Sequence, residues 1–258
     1  MVRLSTRTVL FTLLISGCLA AQENQPPTQL PLVPDPNASA QALEEKGDIL
    51  RAQKHYLDAL DSYKAAMAKQ STALLWNKEG MTYLLMQRVP EASKCFDRAI
   101  KIDKKAPEGY NNRGYIEQYN KNYDKAIKYY RKALSLRSDD AVFHFNMGTS
   151  YFGKQDFVRA AQEYRAAYML DPNIFERVSK TGIMAQSTSP ENRAAFSFMV
   201  AKMYAQAGDV DRSLEYLRKA LEEGYKDIKK VYTDAEFASL REDKRFTELM
   251  AQKPQAIQ

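Results

Sequence analysis

The sequence predicts an all-α fold, an α-solenoid of helix-turn-helix repeats closed at its C-terminal end by capping helices. The first observation behind this is a set of small residues and rings that recur in register. Gly47, Gly80, Gly114 and Gly148 stand 33, 34 and 34 residues apart. Twelve residues after each comes alanine (Ala59, Ala92, Ala126, Ala160), and four further on an aromatic ring (Tyr63, Phe96, Tyr130, Tyr164). Three more bring alanine again (Ala66, Ala99, Ala133, Ala167). Columns that hold through four copies mark a structural repeat. One such unit cannot bury its apolar face alone, so the copies stack into a continuous core. The second observation is proline placement. Beyond the N-terminal spacer, Pro107, Pro172 and Pro190 fall at unit borders and Pro254 in the tail, while Pro90 falls in a first helical turn, where a missing N–H costs nothing.

Taken in order, residues 1–21 predict an export signal. Arg3 and Arg7 form its positive end, and Val9 to Ile15 is an apolar run too short to span a membrane. Two kinds of cleavage site are legible. Ile15-Ser16-Gly17-Cys18 resembles a bacterial lipobox with Cys18 as the lipidated residue, and Leu19 behind it would by that resemblance favour the outer membrane. Cys18-Leu19-Ala20, or Leu19-Ala20-Ala21 before Gln22, resembles an ordinary signal-peptidase site. The expected location is therefore the periplasm or the outer membrane, through a lipid anchor, or the exterior. Residues 22–39 hold five of the ten prolines and predict a disordered spacer, either extended and semi-stiff so as to hold the repeats away from a membrane or merely a disordered mature N-terminus.

The four units follow at about 40–73, 74–106, 107–140 and 141–174. In each, the glycine and the first alanine let two antiparallel helices approach closely, and rings such as Trp76, Tyr83 and Phe96 fill the space beside them. This pattern of sizes resembles the tetratricopeptide-repeat (TPR) family over residues 40–174, and the resemblance implies a right-handed solenoid. It departs at Glu117, where the family usually has a large apolar residue. The family's carboxylate clamp is not matched either: Glu44, Asp48 and Met81 stand where its lysine and asparagines would be.

After Asn173 two frames compete. One continues the glycine column through Gly182. The other places an extra helix and loop at 175–193 and a fifth unit at 194–227, on Ala201, Tyr204, Gly208, Leu217 and Ala220. The second is preferred, with Ser189 as N-cap and Pro190 in the first helical position. In 228–258, Thr233 and Glu236 predict a capping box. Phe237 with Leu240, then Phe246, Leu249 and Met250, predict two short amphipathic helices that cover the last repeat.

Catalytic chemistry is not legible. The chain has no phosphate loop, nucleophile elbow or HExxH motif, and its two histidines, His55 and His144, lie far from any cysteine cluster. No metal, cofactor or catalytic residue is expected, and Cys95 is expected to be a partly buried structural thiol. Net charge is +6, too mild to argue for nucleic acid. The run Lys94, Arg98, Lys101, Lys104, Lys105 and the run Lys125, Lys128, Arg131, Lys132 lie on second helices, hence on the convex side. They read as a solvated face, with anionic lipid or envelope polymer as the functional alternative.

The concave groove is the preferred site. Counting from each glycine, the outward positions of the first helices are Asn77, Lys78, Met81 and Leu84 in unit two. Unit three offers Asn111, Asn112, Tyr115, Gln118 and Tyr119, and unit four Phe145, Asn146, Thr149 and Phe152. Side-chain amides both donate and accept, which suits a peptide backbone, and tyrosines add contact area. The competing role for the asparagines is bonding across to the next repeat. The chain is thus expected to be an exported, non-catalytic protein–protein interaction scaffold that binds a partner peptide or helix in this groove. The alternatives are an envelope assembly lipoprotein laid out like the type IV pilus assembly factors, and an enzyme or its regulatory subunit.

Overall fold

The computed structural model describes residues 37–180 and 190–252. The leader, Cys18, most of the spacer, Gly182, Ser189 and the tail with Pro254 lie outside them. All described elements belong to one compact unit, Val33–Gln258.

Eight helices form four antiparallel pairs: α1 (Ala40–Ala52) with α2 (Tyr56–Lys69), α3 (Ala73–Leu85) with α4 (Val89–Ile102), α5 (Pro107–Tyr119) with α6 (Tyr123–Leu136), and α7 (Ala141–Gly153) with α8 (Phe157–Leu170). The recurring columns are the pair interfaces. The four rings and both alanine columns are buried completely or nearly so. The glycines do more than let helices approach: each is the seat of its own unit's ring. A Cβ on Gly80 would stand 2.5 Å from Phe96 Cε1, and one on Gly114 2.7 Å from Tyr130 Cε1.

Every first helix in these pairs ends the same way. Lys54, Gln87, Lys121 and Gln155 adopt left-handed backbone, with φ between 60 and 66°. The next amide then donates back to a carbonyl five residues earlier, as from His55 to Leu50 at 2.8 Å and from Asn122 to Glu117 at 2.8 Å. This is the Schellman ending, which satisfies carbonyls that the helix leaves unpaired.

The departure at Glu117 has a physical reason. Its carboxylate is buried 2.8 Å from Arg113 Nη1 and accepts from Asn122 Nδ2 at 3.0 Å. Arg113 also reaches back to Asp97 of unit two at 3.0 Å. A buried carboxylate with a cation and an amide on it occupies the place of an apolar side chain.

Past unit four comes α9 (Ile174–Lys180), and then α10 (Pro190–Gln206) pairs with α11 (Val210–Glu222). In that pair Ala201, Ser213, Leu217 and Ala220 keep the spacing of twelve, sixteen and nineteen, and all are buried. Ser213 stands in the first alanine column and donates its hydroxyl to Ala201 C=O at 2.8 Å. Gly208, at φ 79°, takes the left-handed turn position. Phe175 of α9 meets Phe145, Tyr164 and Tyr204 in edge-on ring contacts, so α9 fills the seam between α7, α8 and α10.

The C-terminal segment departs from expectation. The capping box does not form: Thr233 donates its hydroxyl to Lys230 C=O, and Glu236 faces Lys202 Nζ at 3.3 Å. Two 3₁₀ turns, Ile228–Tyr232 and Ala235–Phe237, precede α12 (Ala238–Arg241) and α13 (Lys244–Gln252). Arg241 clasps the turns by donating to the carbonyls of Val231 and Asp234, both at 3.0 Å. Phe237, Leu240, Phe246 and Leu249 are buried in the same core as Leu217 and Ala220, so this segment covers the end of the last pair.

Candidate interaction groove

Consecutive first helices approach one another, α3 to α5 and α5 to α7, more closely than consecutive second helices do. The first helices therefore line the inner side. On a helix, steps of four, three and four residues return to one stripe. On α3 that stripe is Leu74, Lys78, Met81 and Leu85; on α5 it is Glu108, Asn112, Tyr115 and Tyr119; on α7 it is Val142, Asn146, Thr149 and Gly153.

The asparagines form a ladder across the units. Asn112 Nδ2 donates to Asn77 Oδ1 at 3.3 Å, Asn111 Nδ2 to Asn112 Oδ1 at 3.3 Å, and Asn146 Nδ2 to Asn111 Oδ1 at 2.9 Å. Asn77 and Asn111 are buried in the seams and do not reach a ligand surface; Asn112 and Asn146 are half-buried. Their place one turn from the small-residue column explains this. The column before the stripe points at the neighbouring first helix.

Lys78 is also committed. Its ammonium stands 2.5 Å from both Glu44 Oε1 and Asp48 Oδ2 of unit one. Burial alone would lower its pKa, but the two carboxylates outweigh it and raise it. Phe145 is a further correction: it is buried against Tyr164 and Phe175, as is Phe152 against Phe157. Thr149 accepts from the Tyr164 hydroxyl at 3.1 Å, and Gln118 accepts from Tyr130 at 3.2 Å and Ser150 at 2.9 Å. Tyr115 is half-buried, which raises its phenol pKa.

What the face leaves open is more apolar than the sequence suggested. Leu74 is 53% exposed, Leu85 52% and Tyr119 55%. Leu74 and Leu85 are not among the sequence-predicted groove residues, because they stand at the two ends of the stripe, away from the glycine. The available signal was apolar residues at stripe positions that carry no packing duty.

Among the described residues no cluster of three His, Cys, Asp or Glu is poised to hold a metal. His55 lies 3.7 Å from Asp58, and His144 links Glu163 at 2.7 Å to Ser138 C=O at 3.1 Å. Cys95 is fully packed rather than partly buried. Its Sγ sits 3.6 Å from the buried Glu79, and burial followed by that carboxylate pushes the thiol up to about 12, far from a reactive thiolate.

A family model described as tetratricopeptide repeat matches residues 107–140, and a second of the same description matches 73–105 and 194–223. Among curated proteins, mouse Protein O-mannosyl-transferase TMTC3 is 24% identical over 126 residues, which is 49% of this chain and 13% of that protein. Hsp70-Hsp90 organizing protein 2 of Arabidopsis thaliana is 28% identical over 101 residues, 39% of this chain and 18% of that protein. The chain thus spans less than a fifth of the length of either relative. A thermophilic TPR protein of Thermus thermophilus has the same fold, with TM-score 0.51 and 19% identity over 83% of this chain and all of that one.

Proposed function

The chain belongs to the tetratricopeptide-repeat family and has the fold of an interaction scaffold, and from that premise we propose that it docks an amphipathic segment of a protein partner on the inner face of units two and three. One observation carries the reading. Leu74 and Leu85 are exposed on the stripe of α3, with half-buried Met81 between them resting on its own unit's core, and Tyr119 is exposed at the matching position of α5. Exposed apolar side chains at the centre of a patch, rimmed by polar groups, are what binding anchors look like. The rim is the amide ladder. A side-chain amide has two N–H donors, and the ladder spends one each on Asn112 and Asn146. The second is available to a partner's backbone carbonyl. An Arabidopsis relative named for organizing Hsp70 and Hsp90 supports a protein as the partner class.

The direct test is a photo-crosslinking amino acid at position 119, with position 222 as control. A discrete adduct from 119 alone supports the reading. Equal labelling from both positions would sink it.

Export is part of the proposal and rests on Arg3, Arg7, the apolar run and Cys18. The intact mass of the mature protein decides it: cleavage before Cys18 with added acyl mass gives the lipoprotein, similar in layout to envelope assembly lipoproteins. Cleavage after Ala20 or Ala21 gives a free exported protein. An uncleaved chain overturns export.

A further inference from the structure

We propose a second interaction surface, on the outer side of units two to four, that seats the protein on a bilayer surface rich in anionic lipid. The cations Lys94, Arg98 and Lys101 on α4, and Lys125, Lys128 and Lys132 on α6, are all exposed. Lys94 with Lys128, and Arg98 with Lys132, stand one repeat apart at 34 residues, so they continue one face from helix to helix. The nearest acids make their close pairs with other cations, Glu91 with Arg88, Asp97 with Arg113 at 3.0 Å and Asp124 with Lys154 at 2.5 Å, and act on Lys94 and Lys128 only as weaker, longer-range neighbours. A field of one sign therefore survives on this side, although net charge over the whole chain is only +6.

The next helix decides between polyanions. On α8 the same outer face keeps one exposed cation, Arg165, and adds exposed apolar side chains. Val158 is 73% exposed and Met169 72%, and Met169 stands two repeats beyond Lys101. Phosphates of a nucleic acid would meet cations with no use for these side chains. A lipid surface takes both, cations at the headgroups and apolar side chains below them. Seated this way, the inner face with Leu85 and Tyr119 points away from the bilayer and stays open to a partner.

The test is co-sedimentation of the full chain, carrying Cys18→Ser so that no acyl anchor contributes. The vesicles are phosphatidylcholine alone, or phosphatidylcholine with phosphatidylglycerol at equal weight. Retention is expected on the mixed vesicles in excess of the neutral ones. Each cation near an anionic surface contributes about fivefold in affinity. Lys94→Glu/Lys101→Glu/Lys128→Glu should therefore lose at least about a hundredfold, since the new carboxylates add repulsion, while Lys226→Glu/Lys229→Glu/Lys244→Glu, with the same net charge, should keep most of it. Val158→Asp/Met169→Asp should lose the part of binding that survives high salt. Circular dichroism confirms that each variant is folded. Equal retention on both vesicle types overturns the proposal, as does equal loss in both lysine triples. So does binding of a short DNA duplex that the Val158/Met169 variant leaves unchanged, which would make the face a nucleic-acid surface.

Discussion

The hydroxyl of Tyr63 donates to Asp48 Oδ1 at 2.7 Å, while the other oxygen of that carboxylate faces Lys78 of the next unit at 2.5 Å. One carboxylate thus satisfies a ring hydroxyl inside unit one and clamps unit one to unit two. Where the ring column lacks a hydroxyl, at Phe96, the matching position on the first helix is Met81. In unit four the matching Thr149 accepts from Tyr164, whereas in unit three the hydroxyl of Tyr130 turns to Gln118 instead.

This clamp has a pH signature. Burial alone would raise the pKa of Asp48, but its bonds to Lys78 and Tyr63 outweigh that and hold it below the ordinary 3.8. A depressed carboxylate contributes stability that is present above the unfolded pKa and lost as pH falls through the folded one. Lys78 is raised above 10.5, so its contribution is present below that value and lost as pH rises through the folded pKa. Thermal melts of the wild type and Asp48→Asn should therefore differ most near neutral pH and converge in acid, below 3.8. Partial exposure keeps the gap small, about 1 kcal/mol. A gap that persists undiminished in acid would show that Asp48 acts through shape alone.

The glycine seats are the most sensitive positions in the array. Alanine normally gains about 1 kcal/mol over glycine inside a helix. At Gly114 the added Cβ would lie 2.7 Å from Tyr130 Cε1, and the ring is fully buried with nowhere to shift. Overpacking of this kind costs about 1–3 kcal/mol, so Gly114→Ala should lower the urea midpoint and Gly114→Leu should unfold the array. Gly208→Ala is the comparison: nothing lies within 4 Å, and its cost comes only from φ of 79°. A cooperative wild-type-like melt in Gly114→Leu would contradict the seat.

Most of the fold was legible because its determinants are sizes at fixed spacing. Gly80, Ala92, Phe96 and Ala99 report their packing directly through volume. The groove was legible only in part, because helical spacing says which residues share a stripe, not which are claimed by the next unit. Asn77 and Asn111 carry the same amide as Asn112 and Asn146, yet one residue of offset along the helix puts them in the seam. Phe145 stands in the column of Asn77 and Asn111, but α9 brings Phe175 onto it, an event that no repeat frame contains. Thr233 failed as a helix cap because 3₁₀ turns, stapled by Arg241, end the chain's last pair instead.

The left-handed turn residues were invisible in the sequence, since lysine and glutamine stand where glycine is the usual choice. Lys54, Gln87, Lys121 and Gln155 each hold a conformation that costs a side chain about 1–2 kcal/mol. Glycine removes that cost, against a loss of about 0.4–1 kcal/mol from the freer unfolded chain. Lys121→Gly should therefore stabilise by about 0.5–1 kcal/mol, seen as a higher urea midpoint at unchanged slope. Gln87→Gly should add to it, the two lying in separate turns. A fall in midpoint would mean that the Lys121 side chain makes a stabilising contact in its turn.

The inner face separates two kinds of residue, and paired variants tell them apart. Asn112→Ala with Asn146→Ala removes all three hydrogen bonds of the ladder and leaves the buried Asn77 and Asn111 without those partners. Stability should fall by about 1–3 kcal/mol, because an unsatisfied buried amide keeps its desolvation cost. Partner capture should fall with it, through loss of the outward N–H groups. Leu85→Asp with Tyr119→Ala touches only exposed side chains. It should leave the stability within about 0.5 kcal/mol of wild type while capture is lost. Measured side by side, melting and crosslinking yield assign the roles. If the asparagine pair lowers stability without touching capture, the ladder is purely structural; if the leucine–tyrosine pair leaves capture intact, the partner docks elsewhere and the apolar line on α3 is not its anchor.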